Sequence, residues 1–262
     1  MTCVITIANE KGGVAKTTTA LSLGGALIED QSEVLLVDLD PQANLTLALG
    51  LHPKNLQRTT TEILLGNQSV ITISRETSLP GLDIAPANHD LGMAERFLTV
   101  RDQYEFILRS GLSHAQGYDY IILDCPPALG PLTHSALVAA DLLIIPTQCE
   151  FFSANALRDM LNMIRTVRQQ SNPQLRYRLV MTMVDLRNRM HRSLLDQIRK
   201  AFGSAVFKSI IQTDTRLRES PLFGQPISVY SPRSRGAQQY RQLAHEVRQY
   251  VHEFAGTPSK SS

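Results

Sequence analysis

Apolar runs of four or five residues, with little polar alternation, recur along the chain. Residues 4–8, 34–38, 82–86, 118–124, 141–147 and 177–184 read as strands. Continuous apolar runs of this length suit a parallel sheet buried on both faces. Between them, 19–27, 46–51, 59–65 and 103–112 read as helices. Ser153 is expected to cap a long amphipathic helix carrying Leu157, Met160, Leu161, Ile164 and Val167 on one side. A turn at 231–236 is expected to open a last helix from 237 to about 254. This alternation predicts an α/β fold: a single doubly wound, mostly parallel sheet with helices on both faces. No repeat, low-complexity tract or dividing linker interrupts it, so residues 1–262 are expected to form one domain.

Composition narrows the class. The 262 residues are 43% hydrophobic, enough for a substantial core. Cys3, Cys125 and Cys149 lie in or beside apolar runs, and their spacing fits no zinc site. They read as packed, reduced thiols, Cys125 included. No segment has the pattern of a secretion signal or the length of a membrane span, so the expectation is a soluble, cytoplasmic protein. The net charge of +2 conceals an asymmetry. Residues 1–175 carry 11 Lys+Arg against 18 Asp+Glu, whereas 176–249 carry 14 against 5. A basic excess confined to one third of the chain points to nucleic acid.

Three loops carry the candidate chemistry, and each follows a strand. Residues 9–18 join the first strand to the first helix and read Asn-Glu-Lys-Gly-Gly-Val-Ala-Lys-Thr-Thr. Gly12 and Gly13 allow successive N–H groups to turn inward, and the helix N-terminus adds its partial positive charge. Val14, Ala15 and Thr18 complete the cradle. Lys16 can reach the β- and γ-phosphates, and Thr17 can offer its hydroxyl to Mg²⁺. Read strictly as G-x-x-x-x-G-K-[ST] the segment fails, because Ala15 precedes the lysine. Alanine is the smallest replacement and tolerates helical angles, so binding is expected to survive. The second loop begins at Asp38 and Asp40, at the carboxyl end of a strand, where ligands sit in such sheets. The third begins at Asp124, which ends an apolar strand and would hold an Mg²⁺-bound water. Pro126 and Pro127 forbid a helix immediately after it. Thr182 and Met183, at the end of a later strand, are candidates for contact with the base.

Beyond residue 185 arginines dominate. Arg187, Arg189, Arg199, Lys200, Lys208, Arg216, Arg218, Arg233 and Arg235 are the candidate DNA contacts. Around 231–236, backbone N–H groups and two guanidinium forks would suit phosphate oxygens. Aromatic residues are not interleaved with them, so stacking on single-stranded bases is not expected. The expected mode is sequence-independent duplex binding with strong salt dependence.

The segment Lys-Gly-Gly-Val-Ala-Lys-Thr-Thr at 11–18 resembles the deviant Walker A loop of the ParA/MinD family of P-loop ATPases, with Lys11 as its hallmark. The segments at 38–44, 124–127 and 224–240 extend the resemblance over nearly the whole chain and towards the small ParA/Soj branch. With the loop at residue 11, the DNA-reading extension of the large ParA proteins is not expected, nor is self-repression at an operator. The resemblance implies a homodimer with ATP sandwiched between subunits and Lys11 crossing to the partner's nucleotide. Asp38 would orient the attacking water and stand near the metal. Lys16 would neutralise phosphate charge, and Thr17 and Asp124 would hold Mg²⁺. A ParB-like activator or cargo adaptor would stimulate a slow ATPase and release DNA. The competing readings are a membrane-cycling protein like MinD, a positioner of a protein organelle such as the carboxysome, and a nucleotide-gated scaffold without useful turnover. An iron–sulfur reductase of the same superfamily lacks support from the cysteines. The tail stripe of Val247, Val251 and Phe254 is short for a membrane helix, and packing onto the domain explains it better.

Overall fold

Period-two alternation decides which face of the sheet each strand residue takes. A computed structural model describes residues 2–150 and 153–255, with backbone only at 153–156 and 255. In chain order it contains β1 (Cys3–Ile7), α1 (Lys16–Ile28), β2 (Val34–Asp38), α2 (Asn44–Leu47), α3 (Thr60–Gly66), α4 (Val70–Ile73), β3 (Arg75–Glu76) and β4 (Leu82–Ala85). There follow α5 (Asp90–Leu98), α6 (Ile107–Leu112), β5 (Tyr120–Asp124), α7 (Pro131–Ala139), β6 (Leu142–Gln148) and α8 (Ser153–Gln170). The last third holds β7 (Arg176–Val184), α9 (Arg189–Phe202), β8 (Val206–Gln212), α10 (Arg216–Glu219), α11 (Ile227–Tyr230) and α12 (Arg235–Ala255).

The eight strands form one sheet in the order β3-β4-β2-β5-β1-β6-β7-β8, parallel throughout except for the β3–β4 pair. Ile5, Ile7, Leu36 and Ile122 face one core with α1 and α12, while Leu35, Val37, Ile121 and Leu123 face the other with α5, α7 and α8. The α1 face is packed closely. A Cβ at Gly25 would lie 2.5 Å from the Pro226 ring, so only glycine lets α11 approach there. The Thr19 hydroxyl and the Tyr240 phenol, both fully buried, meet at 3.1 Å and tie α12 to α1 just behind the first loop.

β6 carries a proline, which cannot donate to a ladder. The β1–β6 register stops at Ile7↔Ile144, so Pro146 lies past the point where β1 would need its N–H. Its carbonyl instead accepts from the Asn9 side chain at 2.7 Å, which anchors the start of the phosphate loop.

Several expected elements differ. The helix expected at 46–51 is a single turn, Asn44–Leu47, and the one at 103–112 is a tight turn followed by Ile107–Leu112. β3, β8, α4, α5, α7, α9, α10 and α11 were not among the expected elements, and α12 starts two residues earlier than expected. α8 does begin at Ser153, but the capping role expected of that side chain lies outside the described residues. Leu157, Met160, Ile164 and Val167 are buried against the sheet and Leu161 packs at its margin.

Candidate active site

The loop after β1 is shaped by its own polar atoms. Asn9 accepts from the Lys11 N–H at 3.0 Å while donating to Pro146, which turns the chain at residue 10. Gly13 and Ala15 both have positive φ, 74° and 69°. The expectation that Ala15 takes ordinary helical angles is therefore corrected. It lies in the left-handed region (φ 69°, ψ 38°) at the N-cap of α1, where a Cβ crowds the following carbonyl. From behind, Thr182 donates its hydroxyl to the Val14 carbonyl at 3.0 Å, and Gln148 donates to the Gly13 carbonyl at 2.9 Å. Thr182 is fully buried in that role, so its hydroxyl supports the loop. Met183 does line the cleft, at φ 53°, with its sulfur accepting from Gln148.

The cleft has a volume of about 670 Å³. Gly12, Gly13, Ala15, Lys16, Thr17 and Thr18 form its phosphate-loop wall, with Asp40 and Pro127 opposite. Lys16 is only 7% exposed, and its ammonium donates to the Lys11 carbonyl at 3.1 Å. Burial lowers its pKa, and the Asp124 and Asp40 carboxylates oppose that shift through their charge. A desolvated ammonium beside a row of inward N–H groups is suited to a polyanion.

Asp38 and Asp124 are neighbours in register at the carboxyl ends of β2 and β5, and both are fully buried. Asp38 accepts from the Asp40 N–H at 3.1 Å and from both the N–H (2.9 Å) and the hydroxyl (2.7 Å) of Thr46. Burial still pushes its carboxyl up to about 6, against those hydrogen bonds. Asp124 is the contrast. Among the described residues neither of its oxygens has a partner at full hydrogen-bond geometry, although the Thr17 hydroxyl faces them. Burial and the Asp38 charge raise its pKa well above the carboxylate range, with the facing Thr17 hydroxyl and the Lys16 charge opposing. A buried carboxylate with two orphan oxygens is costly unless a cation or its water completes it. Mg²⁺ binds by one or two carboxylates plus waters and phosphate oxygens. Among the described residues no cluster of three or more His, Cys, Asp or Glu could hold a metal alone, so phosphate oxygens would have to share the task. Asp124 and Thr17 fit that ion, and the loop fits its nucleotide.

These features match known proteins. The AAA domain family matches residues 2–177. The chain is 41% identical to the sporulation initiation inhibitor protein Soj of Bacillus subtilis over 246 residues, covering 93% of this chain and 97% of that one. It is 40% identical to the chromosome partitioning protein ParA of Caulobacter vibrioides over 248 residues, with 93% of each covered. The chain belongs to the ParA/MinD family of P-loop ATPases. A solved structure of cobyrinic acid a,c-diamide synthase from Mycobacterium smegmatis with bound ADP and magnesium superposes at TM-score 0.85, with 35% identity and both chains fully covered. ATP and Mg²⁺ are the cofactors of this site.

The family's hallmark lysine lies outside the cleft. The Lys11 ammonium turns to the loop after β6, where it donates to Gln148 at 3.2 Å and pairs with Glu150. Gln148 thus joins Lys11, Gly13 and Met183, and it is a residue that sequence reasoning missed. Nothing in its local sequence signals that role. Thr46 was missed as well; it lies two residues beyond the segment at 38–44 whose carboxylates were singled out.

The basic residues divide into groups. Arg187 and Arg235 share a small cavity of about 190 Å³ at the carboxyl ends of β7 and β8. Arg187 is held in a fork by Asp185 at 3.0 and 3.1 Å, and Arg235 binds Gln212 and the Thr213 carbonyl. Arg199 and Lys208 lie instead along a groove of about 1210 Å³ between β8 and α12. Arg216 reaches Ser231, and Arg189, Lys200, Arg218 and Arg233 are exposed. Within the turn at 231–236, three N–H groups are already taken: Ser231 by the Ile227 carbonyl and Ser234 by the Ser231 carbonyl, both at 2.9 Å, and Gly236 by Asp214 at 3.0 Å.

Proposed function

We propose that this chain is a partition ATPase that dimerises around ATP, binds duplex DNA without sequence preference, and positions DNA or another cargo over the nucleoid. Hydrolysis, slow alone and stimulated by a ParB-like activator or cargo adaptor, releases it. The observation that carries the reading is the position of Lys11. Its ammonium is at the rim of the loop, outside the cleft that Lys16 lines, with a half-exposed Glu150 as counterion. From there a lysine can exchange Glu150 for the phosphates of a second copy, as an arginine finger does in trans.

Within one subunit Lys16 and the loop N–H groups neutralise the β- and γ-phosphate oxygens. Bound Mg²⁺, held by Thr17 and through water by Asp124, supplies further charge neutralisation there. Asp38 orients a water towards the γ-phosphorus. The water's oxygen forms the new P–O bond as the bond to the β–γ bridging oxygen breaks, and the water's proton passes to an oxygen of the released phosphate, giving ADP and phosphate. Two copies double the exposed arginines, which supports DNA binding by avidity. Cytoplasmic, nucleoid-associated localisation follows from that binding.

The membrane-cycling alternative has less support. Val247 is buried, and Val251 and Phe254 pack on the core of the α1 face. Arg178 lies 3.9 Å over the Tyr250 ring and Arg176 4.3 Å over Phe254, so cation–π contacts fasten the C-terminal half of α12. No helix among the described residues is long and apolar enough to cross a membrane. The synthase activity named for the Mycobacterium smegmatis structure is not adopted, because the more nearly identical relatives are partition and sporulation proteins.

The test is retention of duplex DNA with ATP and its release with ADP, together with solution mass. Lys16→Ala should abolish ATP binding. Lys11→Ala should keep some binding and lose the dimer and turnover. A wild-type rate in Lys11→Ala, or a monomer that holds DNA equally in both nucleotides, would overturn the mechanism.

A further inference from the structure

Thr46 is fully buried one turn inside the segment that follows β2, and it does not line the nucleotide cleft, although Asn44, Leu47 and Ala48 do. Its hydroxyl makes two hydrogen bonds. It lies 2.7 Å from Asp38 Oδ2, and it accepts from the Ala87 N–H at 2.9 Å. A hydroxyl has a single proton. The Ala87 N–H must donate, so the Thr46 proton is directed at Asp38 and cannot rotate away without orphaning a buried backbone group. The Thr46 N–H donates to the same oxygen at 2.9 Å. Oδ2 is thereby saturated by two donors. Oδ1 takes only the Asp40 N–H, at 3.1 Å. A carboxylate has about four acceptor sites, which leaves one, on Oδ1, for a water.

We propose that Thr46 is a positioning residue for hydrolysis: held by Ala87, it locks Asp38 Oδ2 and so presents Oδ1 to the attacking water. This rests on the reading of Asp38 as the group that orients that water. The device also joins two strand ends. β2 and β4 are paired up to Val37↔Ala85, and the Thr46 hydroxyl bridges them two residues further on at Ala87 and one further on at Asp38. Loss of the hydroxyl therefore frees the carboxylate to rotate.

The experiment uses Thr46→Val, which keeps the shape and removes the hydroxyl, Thr46→Ala as a second hydroxyl-free variant, and Thr46→Ser as the rescue. Steady-state hydrolysis is read with DNA present. The expected result is kcat lowered about ten- to a hundredfold in Val and Ala variants, with KM for ATP unchanged. The Ser variant should restore kcat. Independently of turnover, a crystal structure of each nucleotide-free variant reads the Asp38 carboxylate, which should leave its place against the Thr46 N–H in Val and Ala and regain it in Ser. A wild-type kcat or an unmoved carboxylate in both hydroxyl-free variants, or a Ser variant as impaired as Val, would overturn the proposal. A wild-type rate in Asp38→Asn would sink the reading of Asp38 itself, while the crystal structures still report whether Thr46 holds that carboxylate.

Discussion

Ala15 holds a left-handed backbone at the mouth of the phosphate loop, with φ 69° and ψ 38°. For a residue with a Cβ this costs about 1–2 kcal/mol relative to glycine. Ala15→Gly should therefore raise the melting temperature of the nucleotide-free chain and leave nucleotide affinity equal or tighter, readable by calorimetry and a fluorescent ATP analogue. A lower melting temperature would show that the Cβ packs usefully. The buried carboxylates next to it give a pH signature. Asp38 keeps its proton up to about pH 6, whereas an unfolded carboxyl releases it near its ordinary 3.8. Between those values the folded state binds more protons, so stability falls as pH rises. The melting temperature should accordingly be higher at pH 5 than at pH 7. Asp38→Asn should make that dependence shallower, and Mg²⁺ with nucleotide should flatten it by compensating Asp124.

The loops after β1 and β6 share one ion pair. Lys11 is about one-quarter exposed and Glu150 half-exposed, so water screens the pair and it contributes little to stability. Its effect is on where the ammonium points. Glu150→Gln should leave folding unchanged and strengthen ATP-dependent dimerisation several-fold, measured by sedimentation velocity. A weaker dimer would mean that Glu150 contributes to the interface itself. α1 and α12 are joined behind the same loop by Thr19 and Tyr240. A change in the nucleotide site thus has a rigid route to the helix that begins at Arg235.

At the scale of the whole molecule, Arg187 and Arg235 share the cavity at the carboxyl ends of β7 and β8, Arg199 and Lys208 line the groove beside β8, and the remaining candidate cations line neither. Only a surface that contacts phosphates will respond to salt. Arg233→Ala with Arg235→Ala should weaken DNA binding and flatten its salt slope while dimerisation stays intact. Arg199→Ala with Lys208→Ala, beside the groove, tests the other face. The pair that changes the slope marks the DNA side, and two unchanged slopes would reduce the basic third to a solvated surface.

The sequence by itself determined β1, β2, β4, β5, β6 and β7, the strand-to-helix loop at 9–18 and the two strand-end carboxylates, because each depends on local features: an apolar run buried on both sides, glycine's freedom, a strand ending in Asp. It missed β3, β8, α4, α5, α7, α9, α10 and α11: four of these are elements of only two or four residues, and in α9 a regular apolar stripe of Leu194, Leu195, Ile198 and Phe202 is interspersed with the arginines that marked the segment as basic. Tertiary structure alone decided that Thr182 braces the loop, that Gln148 links Lys11 to Gly13, and that Thr46 holds Asp38. Those roles depend on distances between strands that are remote in sequence, set by the order and register of the sheet. The backbone angle of Ala15 is of the same kind. An alanine shows no preference for left-handed geometry, and the closure of the loop against β6 and β7 imposes it.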